Sequence, residues 1–221
     1  MDPEGEYKSL APAPAPMTIW FGTAAPRHLL YFTKESFLAF LGRQSLTPTS
    51  WLAIVCASFP TPESLKALGR LVEEFGKSLT YVGDLRPMDL THFALLRRGS
   101  PDFSTRRSVP LPILYGGIND AWLGLADSFR RPTIAPLESK MRDVERMHFE
   151  VLQQLVPDLE SLVGERSFAL LKAGHEVNLE MTYNLAHYRE GYARRLIEHL
   201  NSMTARPVRA RVARVAALKK R

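Results

Sequence analysis

Short apolar runs alternate with amphipathic, helix-like segments in the first half of this chain, and this alternation constrains the fold more than any other feature. The four apolar runs, each of a length suited to one buried strand, are residues 29–32, 51–57, 79–82 and 112–115. The segments between them place apolar side chains at helical spacing. Strands separated by helices pair in parallel through right-handed crossovers. The first half is therefore predicted to be an α/β sandwich with a parallel sheet.

Local signals fix the expected ends of the first two helices. Thr33 can cap a helix that Gly42 ends. Thr61 is a second N-cap, followed by Pro62 at the first helical position, where proline is favoured. Gly76 is expected to end that helix.

The second half reads as helical, with breaks at Pro157 and Gly174. Its predicted helices are residues 121–129, 137–154, 159–171 and 175–200. We predict three parts in the chain: a disordered Pro/Ala-rich segment over residues 1–26, one α/β domain with a helical C-terminal part over 27–200, and a basic tail over 201–221.

Charge is concentrated in that tail. It holds seven basic residues and no acidic one, although the 221-residue chain has a net charge of +6. The remaining 22 Lys and Arg nearly balance the 23 acidic residues, so the positive charge does not belong to a face of the fold. The tail is therefore the predicted nucleic-acid-binding element, for DNA or RNA, through Arg206, Arg209, Arg211, Arg214, Lys219, Lys220 and Arg221. The alternative is a disordered tail that keeps the protein in solution or docks on a partner, where its spacing also permits a basic helix.

Other features exclude several classes of protein. The single cysteine, Cys56, excludes a disulfide framework and lies inside an apolar run, as a buried small hydrophobic residue does. No apolar run of about 18 residues is present, which argues against a membrane span. The acidic, proline-rich start differs from a signal peptide. These features predict an intracellular, cytoplasmic protein that does not act at a membrane.

The carboxyl ends of parallel strands are where an open α/β sheet binds its ligands. The segments at these ends are residues 33–35, 58–60, 84–86 and 116–117. None of them forms a glycine-rich phosphate loop or a nucleophile elbow. The six histidines show no spacing typical of metal ligands, and we expect them to be surface or capping residues.

The order of these segments resembles the Toprim domain of the topoisomerase VI A subunit and the related meiotic double-strand-break proteins. Residues 33–37 (TKESF) resemble the family's VEKEAxF, and residues 53–60 resemble its second strand and loop. Residues 81–90 (YVGDLRPMDL) resemble its yvLtDaDPyGi, and residues 98–100 stand where it has yGS. Residues 173–179 resemble its KkaEiqaL. The resemblance covers about residues 27–179 and implies a Toprim-like, Rossmann-like fold.

This chain departs from the family at the residues that hold Mg²⁺. Toprim chemistry uses a Glu after the first strand and an Asp-x-Asp after a later one, because Mg²⁺ prefers anionic oxygen ligands. Here Thr33 replaces that Glu and Arg86 replaces the second Asp, which leaves Asp84 alone. Together with Glu176 they define a vestigial pocket. Arg86 is expected to pair with Asp84 in place of the metal. The family's nucleophilic tyrosine lies on an upstream winged-helix domain, and we do not expect Tyr7, in the segment before the first predicted strand, to take its place.

Three hypotheses follow. The first is a catalytically degenerate Toprim-like module without a cofactor, which binds nucleic acid, a protein partner or a second copy of itself within a DNA-processing complex. The second is an active Mg²⁺-dependent phosphodiester-cleaving enzyme that uses Glu35, Asp84, Asp89 and Glu176. For Glu35 and Asp89, the alternative is that both are solvated residues in the first turns of helices. The third hypothesis is a Rossmann-like sensor that binds a small anion through Arg86 and residues 116–117.

Overall fold

The computed structural model describes residues 8–9, 17–21, 25–46, 48–56, 59–98, 110–129, 137–184 and 189–204. Its strands are β1 (Lys8–Ser9), β2 (Met17–Phe21), β3 (His28–Phe32), β4 (Trp51–Cys56), β5 (Leu79–Val82), β6 (Ile113–Tyr115), β7 (Glu138–Lys140) and β8 (His175–Val177). Its helices are α1 (Glu35–Arg43), α2 (Pro62–Phe75), α3 (Pro87–Arg98), α4 (Asp120–Phe129), α5 (Asp143–Leu155), α6 (Leu159–Val163), α7 (Glu165–Lys172), α8 (Leu179–Asn184) and α9 (Arg189–Thr204).

The main sheet has the order β1-β2-β4-β3-β5-β6. Four neighbouring strands of this sheet, β4, β3, β5 and β6, pair in parallel. This confirms the predicted parallel sheet flanked by helices. All residues of β4 and β5 are buried, as expected for strands covered on both faces. The sheet and its helices share one hydrophobic core.

The start of the chain was predicted to be disordered, but two strands at the edge of the sheet lie there. Strands β1 and β2 lie within the segment predicted to be disordered, and β2 pairs antiparallel with β4. Met17 of β2 is 1% exposed. The apolar, β-branched composition of residues 17–21 favours a strand once β4 offers a free edge. The wider division of the chain at residues 27 and 200 stays a prediction.

The ends of α2 follow the predicted capping signals, whereas the start of α1 does not. Thr61 caps α2 by accepting a hydrogen bond from the Ser64 backbone N–H, and Gly76 ends the helix at φ +60°, a left-handed conformation that glycine adopts freely. The prediction for α1 was wrong, because Lys34 occupies the N-cap position and Thr33 lies one residue earlier. The Thr33 hydroxyl is instead directed into the site described below.

The second half is not all helical, which corrects a further prediction. Strands β7 and β8 form a two-stranded antiparallel sheet inside segments predicted to be helices. This small sheet is joined to the main one, since Leu85 and Val177 exchange two backbone hydrogen bonds of 2.9 and 3.0 Å just beyond β5. The second half therefore closes over the carboxyl end of β5. No helix in the described part of the chain is long and apolar enough to cross a membrane.

Candidate functional site

The topology of the sheet creates a crevice between β3 and β5. These two strands are neighbours, but the chain leaves β3 through α1 toward β4 on one side and leaves β5 through α3 toward β6 on the other. Such a switch point leaves an opening beyond the carboxyl ends of the two strands, and ligands of open α/β sheets bind there. Thr33 follows β3 and Asp84 follows β5, so the sheet brings together two residues of the predicted pocket.

Asp84 is the most buried charged side chain of this crevice, with 0% exposure. Its Oδ1 accepts a hydrogen bond of 2.8 Å from the Leu179 backbone N–H at the start of α8. Its Oδ2 lies 2.6 Å from the ammonium nitrogen of Lys34. Asp84 therefore links the end of β5 to the start of α1 and to the helical second half.

The predicted ion pair between Arg86 and Asp84 was wrong, because Lys34 is the cation at Asp84. The prediction assumed that the extended alternation of β5 continues through residue 86. The strand ends at Val82 and α3 begins at Pro87, so the backbone turns and carries Arg86 elsewhere. Lys34 also lies 2.6 Å from Glu180 of α8, whose other carboxylate oxygen accepts a hydrogen bond from Ser36.

Arg86 belongs to a second cluster beside the first. Its guanidinium forms an ion pair with Glu145 of α5, a side chain that is 1% exposed. The Arg86 Nε atom lies 4.0 Å from a carboxylate oxygen of Glu176 on β8, too far for a hydrogen bond. Arg86 thus ties the start of α3 to α5, and Glu176 of β8 lies beside it.

Thr33 and Asp89 complete the crevice. The Thr33 hydroxyl donates a hydrogen bond of 3.1 Å to Asp89 Oδ2, and the Asp84 backbone N–H donates one of 2.8 Å to the same oxygen. Asp89 is half-buried, so the expectation that it is a solvated helix residue was wrong. Glu35 is exposed in the first turn of α1, as expected for a solvated helix residue.

Burial and charge shift the titration of these groups. Burial raises the pKa of Asp84 to about 6, and the Asp89 charge adds to the shift, while Lys34 opposes it. Burial also raises the pKa of Asp89, against its hydrogen bonds and the nearby cations. For Lys34, burial acts to lower the pKa, but the pairs with Asp84 and Glu180 outweigh it and raise the pKa. The ammonium group is therefore a fixed positive charge at neutral pH.

A pocket of about 350 Å³ opens above these groups. Its lining residues are Thr33, Lys34, Phe59, Arg86, Met88, Asp89 and His92. His92 is 5% exposed and shares a hydrogen bond of 2.9 Å with the Tyr31 hydroxyl, so the expectation of a surface or capping residue was wrong here. Burial lowers the pKa of His92 to about 4, which keeps the imidazole neutral at physiological pH.

The residues of the crevice do not fit the Mg²⁺ site that the resemblance implies. A divalent ion needs several anionic oxygens with free lone pairs. Of the three aligned positions, Asp84 offers the only carboxylate, and its two oxygens already face the Leu179 N–H and the Lys34 ammonium. Within the described residues, no three His, Cys, Asp or Glu side chains are grouped so as to hold a metal ion.

The other residues proposed from the sequence do not converge on the pocket. Gly116 and Gly117 are buried, and a Cβ atom on Gly117 would lie 2.7 Å from the Gly83 carbonyl oxygen, so this turn packs closely against the end of β5. Neither glycine is among the lining residues of the pocket. The seven basic tail residues, Gly99, Ser100 and Ser58 lie outside the described residues.

Sequence reasoning missed the residues that neutralise this site. Lys34, Glu145 and Glu180 come from three different elements, and their meeting depends on how the helical second half closes over the sheet. Lys34 alone carried a usable signal, because it is a cation next to an aligned metal-binding position. Searches of protein-family models and of curated proteins found no match to this chain.

Proposed function

We propose that this protein is a catalytically degenerate Toprim-like module that binds nucleic acid, a protein partner or both within a DNA-processing complex. The observation that carries this proposal is the position of the Lys34 ammonium group, 2.6 Å from both Asp84 and Glu180. It supplies from within the chain the positive charge that a metal ion would bring to the carboxylate after β5. The phosphodiester chemistry would belong to another component of the complex.

Electrostatics explains why this arrangement opposes metal binding. A divalent ion that binds Asp84 would have to displace the Lys34 ammonium group, which lies 2.6 Å from Asp84 Oδ2 and from Glu180. Two unit charges 4 Å apart at an effective dielectric of about 20 interact by about 4 kcal/mol, so the ion would have to replace these pairs as well as bind. We therefore disfavour an active Mg²⁺-dependent enzyme that uses Glu35, Asp84, Asp89 and Glu176. Asp89 lies next to Asp84, but Glu35 is exposed on α1 and Glu176 lies beside Arg86.

Calorimetry with Mg²⁺ and Mn²⁺ tests this directly, beside a plasmid-nicking assay. We expect the wild-type protein to show no binding at micromolar metal and no nicking. In Lys34→Ala the ammonium group is lost, and added Mg²⁺ should then raise the melting temperature. The matched control is Lys66→Ala on the exposed side of α2, which should leave the response to Mg²⁺ unchanged. Micromolar metal binding by the wild type would overturn the degenerate reading, and nicking that Asp84→Ala abolishes would favour the nuclease in its place.

The exposed surface of α5 supports the protein-partner part of the proposal. The apolar residues of this helical segment divide between two environments, since Met141, Phe149 and Leu152 are buried. Val144, Met147 and Val151 are 50%, 68% and 53% exposed and follow one another at helical spacing. We call these three residues the α5 apolar surface. Contiguous exposed apolar side chains of this kind are typical of interaction sites.

A further inference from the structure

The pocket at the switch point has one apolar wall with an exposed aromatic ring. Phe59 is 45% exposed and its ring centroid lies 5.2 Å from that of His92. His92 is held from behind by its hydrogen bond to Tyr31 and by ring contacts with Tyr31 and Tyr81. Met88 lines the same pocket. The Phe59 ring therefore packs on the buried His92 on one side and leaves much of its surface open to a ligand.

The same pocket is lined by the carboxylate of Asp89. Burial raises the pKa of Asp89, and Arg86 and Lys34 oppose that shift from nearby, but no ion pair joins Asp89 to a cation within the described residues. Its Oδ2 already accepts two hydrogen bonds, from Thr33 and from the Asp84 backbone. A ligand that donates a hydrogen bond to this carboxylate would satisfy it.

The two cations of the pocket do not make it a site for phosphate. Lys34 is paired with Asp84 and Glu180, and Arg86 lies between Glu145 and Glu176. With Asp89, these groups bring five carboxylates against two cations. A small anion would therefore meet excess negative charge. The exposed Phe59 ring and the Asp89 carboxylate, which line the same pocket, fit a flat ligand with a hydrogen-bond donor at its edge.

We propose that this pocket binds a single nucleobase that carries an exocyclic amino group, such as cytosine or adenine. The base stacks on Phe59, and its amino group donates to Asp89. Aromatic side chains bind bases through such stacking, and carboxylates accept from the amino group of cytosine. A pocket of about 350 Å³ is large enough for one base and lies within the usual range for small ligands. The inference deepens the proposed function and rests on it only where the base belongs to a nucleic acid strand.

Two matched pairs of nucleosides test the proposal, with binding measured by NMR titration of the full chain. Cytidine and uridine differ in an amino group against a carbonyl, as do adenosine and inosine. We expect the wild type to bind cytidine and adenosine about ten-fold more tightly than their partners. Phe59→Ala should weaken binding of all four on the order of ten-fold, and Phe59→Tyr should restore it, because stacking needs the ring.

Asp89→Asn gives the sharper readout. The amide oxygen can keep the hydrogen bonds from Thr33 and Asp84, which turns the amide NH₂ toward the pocket. The preference should then reverse toward uridine and inosine, which a purely structural role of Asp89 would not produce. Asp143→Asn on α5 and Glu63→Gln on α2, both on exposed positions, are the controls and should bind as the wild type does.

Single-stranded oligonucleotides distinguish the two sources of the base. Tighter binding of oligo-dC than of oligo-dT, sensitive to Phe59→Ala, would mean that the pocket takes a base of a strand. Binding of nucleosides without this difference would mean a free nucleoside or nucleotide. No saturable binding of any nucleoside at millimolar concentration, or a preference that Asp89→Asn leaves unchanged, would overturn the inference. Either result leaves the metal test of the proposed function intact.

Discussion

At the scale of single residues, Asp84 is a carboxyl group that the fold buries completely and should therefore make stability depend on pH. Its pKa rises from 3.8 in the unfolded chain to about 6, mainly through burial. Between these two values the folded protein keeps a proton that the unfolded chain releases. The contribution of Asp84 to the free energy of unfolding is therefore largest below pH 4, and it falls as pH rises through 6.

The first prediction compares wild type with Asp84→Asn by urea unfolding between pH 4 and pH 7. The stability of the wild type relative to the variant should fall by on the order of 1–3 kcal/mol over this range. His92 acts in the opposite sense, since burial lowers its pKa from 6.5 to about 4, but it is present in both proteins and cancels. Asp143→Asn, exposed on α5, should give a curve parallel to the wild type. A parallel curve for Asp84→Asn would contradict the shifted pKa.

At the scale of elements, local sequence predicted the strands with strong apolar runs. β5 follows the predicted residues 79–82, and β3 differs by one residue from the predicted 29–32. β7 and β8 were missed because Glu138–Lys140 and His175–Val177 contain little apolar sequence. Their pairing depends on each other and on the bridge between Leu85 and Val177, contacts between residues far apart in the chain.

Part of the candidate site could also be predicted from the sequence, and part depends on contacts between distant residues. The positions of Thr33 and Asp84 at neighbouring strand ends could be predicted, because parallel strands of an α/β sheet present these ends at one edge. The partner of Asp84 could not be predicted, since Lys34 and Arg86 both offered a cation in the expected pocket. Which cation reaches the carboxylate depends on the turn into α3 and on the closure of α8, and neither is visible in local patterns.

The second prediction concerns how α3 is tied to the second half of the chain. Arg86 pairs with the buried Glu145 of α5, whereas Arg97 pairs with the exposed Asp158 through two hydrogen bonds. Arg86→Met should lower the free energy of unfolding by about 3–5 kcal/mol, because it leaves a buried carboxylate unpaired. Arg97→Met is the matched control and should cost about 0–1 kcal/mol.

Chemical denaturation measures both variants of the second prediction. Adding Glu145→Gln to Arg86→Met should recover part of the loss, because the neutral amide is cheaper to bury than an unpaired carboxylate. If Arg86→Met and Arg97→Met lower the free energy of unfolding equally, the buried pair stabilises the contact of α3 with α5 no more than an exposed pair does.

At the scale of the whole molecule, the third prediction is that the α5 apolar surface binds a partner. The combined change Val144→Ser, Met147→Gln and Val151→Ser should leave the melting temperature almost unchanged, since all three side chains are at least half exposed. It should abolish the recovery of partners from cell extract or the self-association seen by light scattering.

Leu65→Ser, Ala67→Ser and Leu71→Ser on α2 are unsuitable as controls because these residues pack on the core. Glu63→Gln and Arg70→Gln, on exposed positions of α2, serve instead. A wild-type protein that is monomeric and recovers no partner would contradict the prediction.

The fourth prediction concerns the basic tail, whose seven basic residues lie outside the described part of the chain. Seven basic side chains without an acidic one should bind phosphates with little regard to sequence, and binding should weaken steeply with salt. Each phosphate contact that a substitution removes should lower the slope of log affinity against log salt by about 0.7–0.9. Deleting residues 206–221 should therefore abolish the retention of DNA at low salt. The nucleobase pocket is a separate site, so the same deletion should leave cytidine binding unchanged. If the deleted protein retains DNA with an unaltered salt slope, the phosphate contacts lie on the folded body, whose charges nearly balance, and the tail has another purpose.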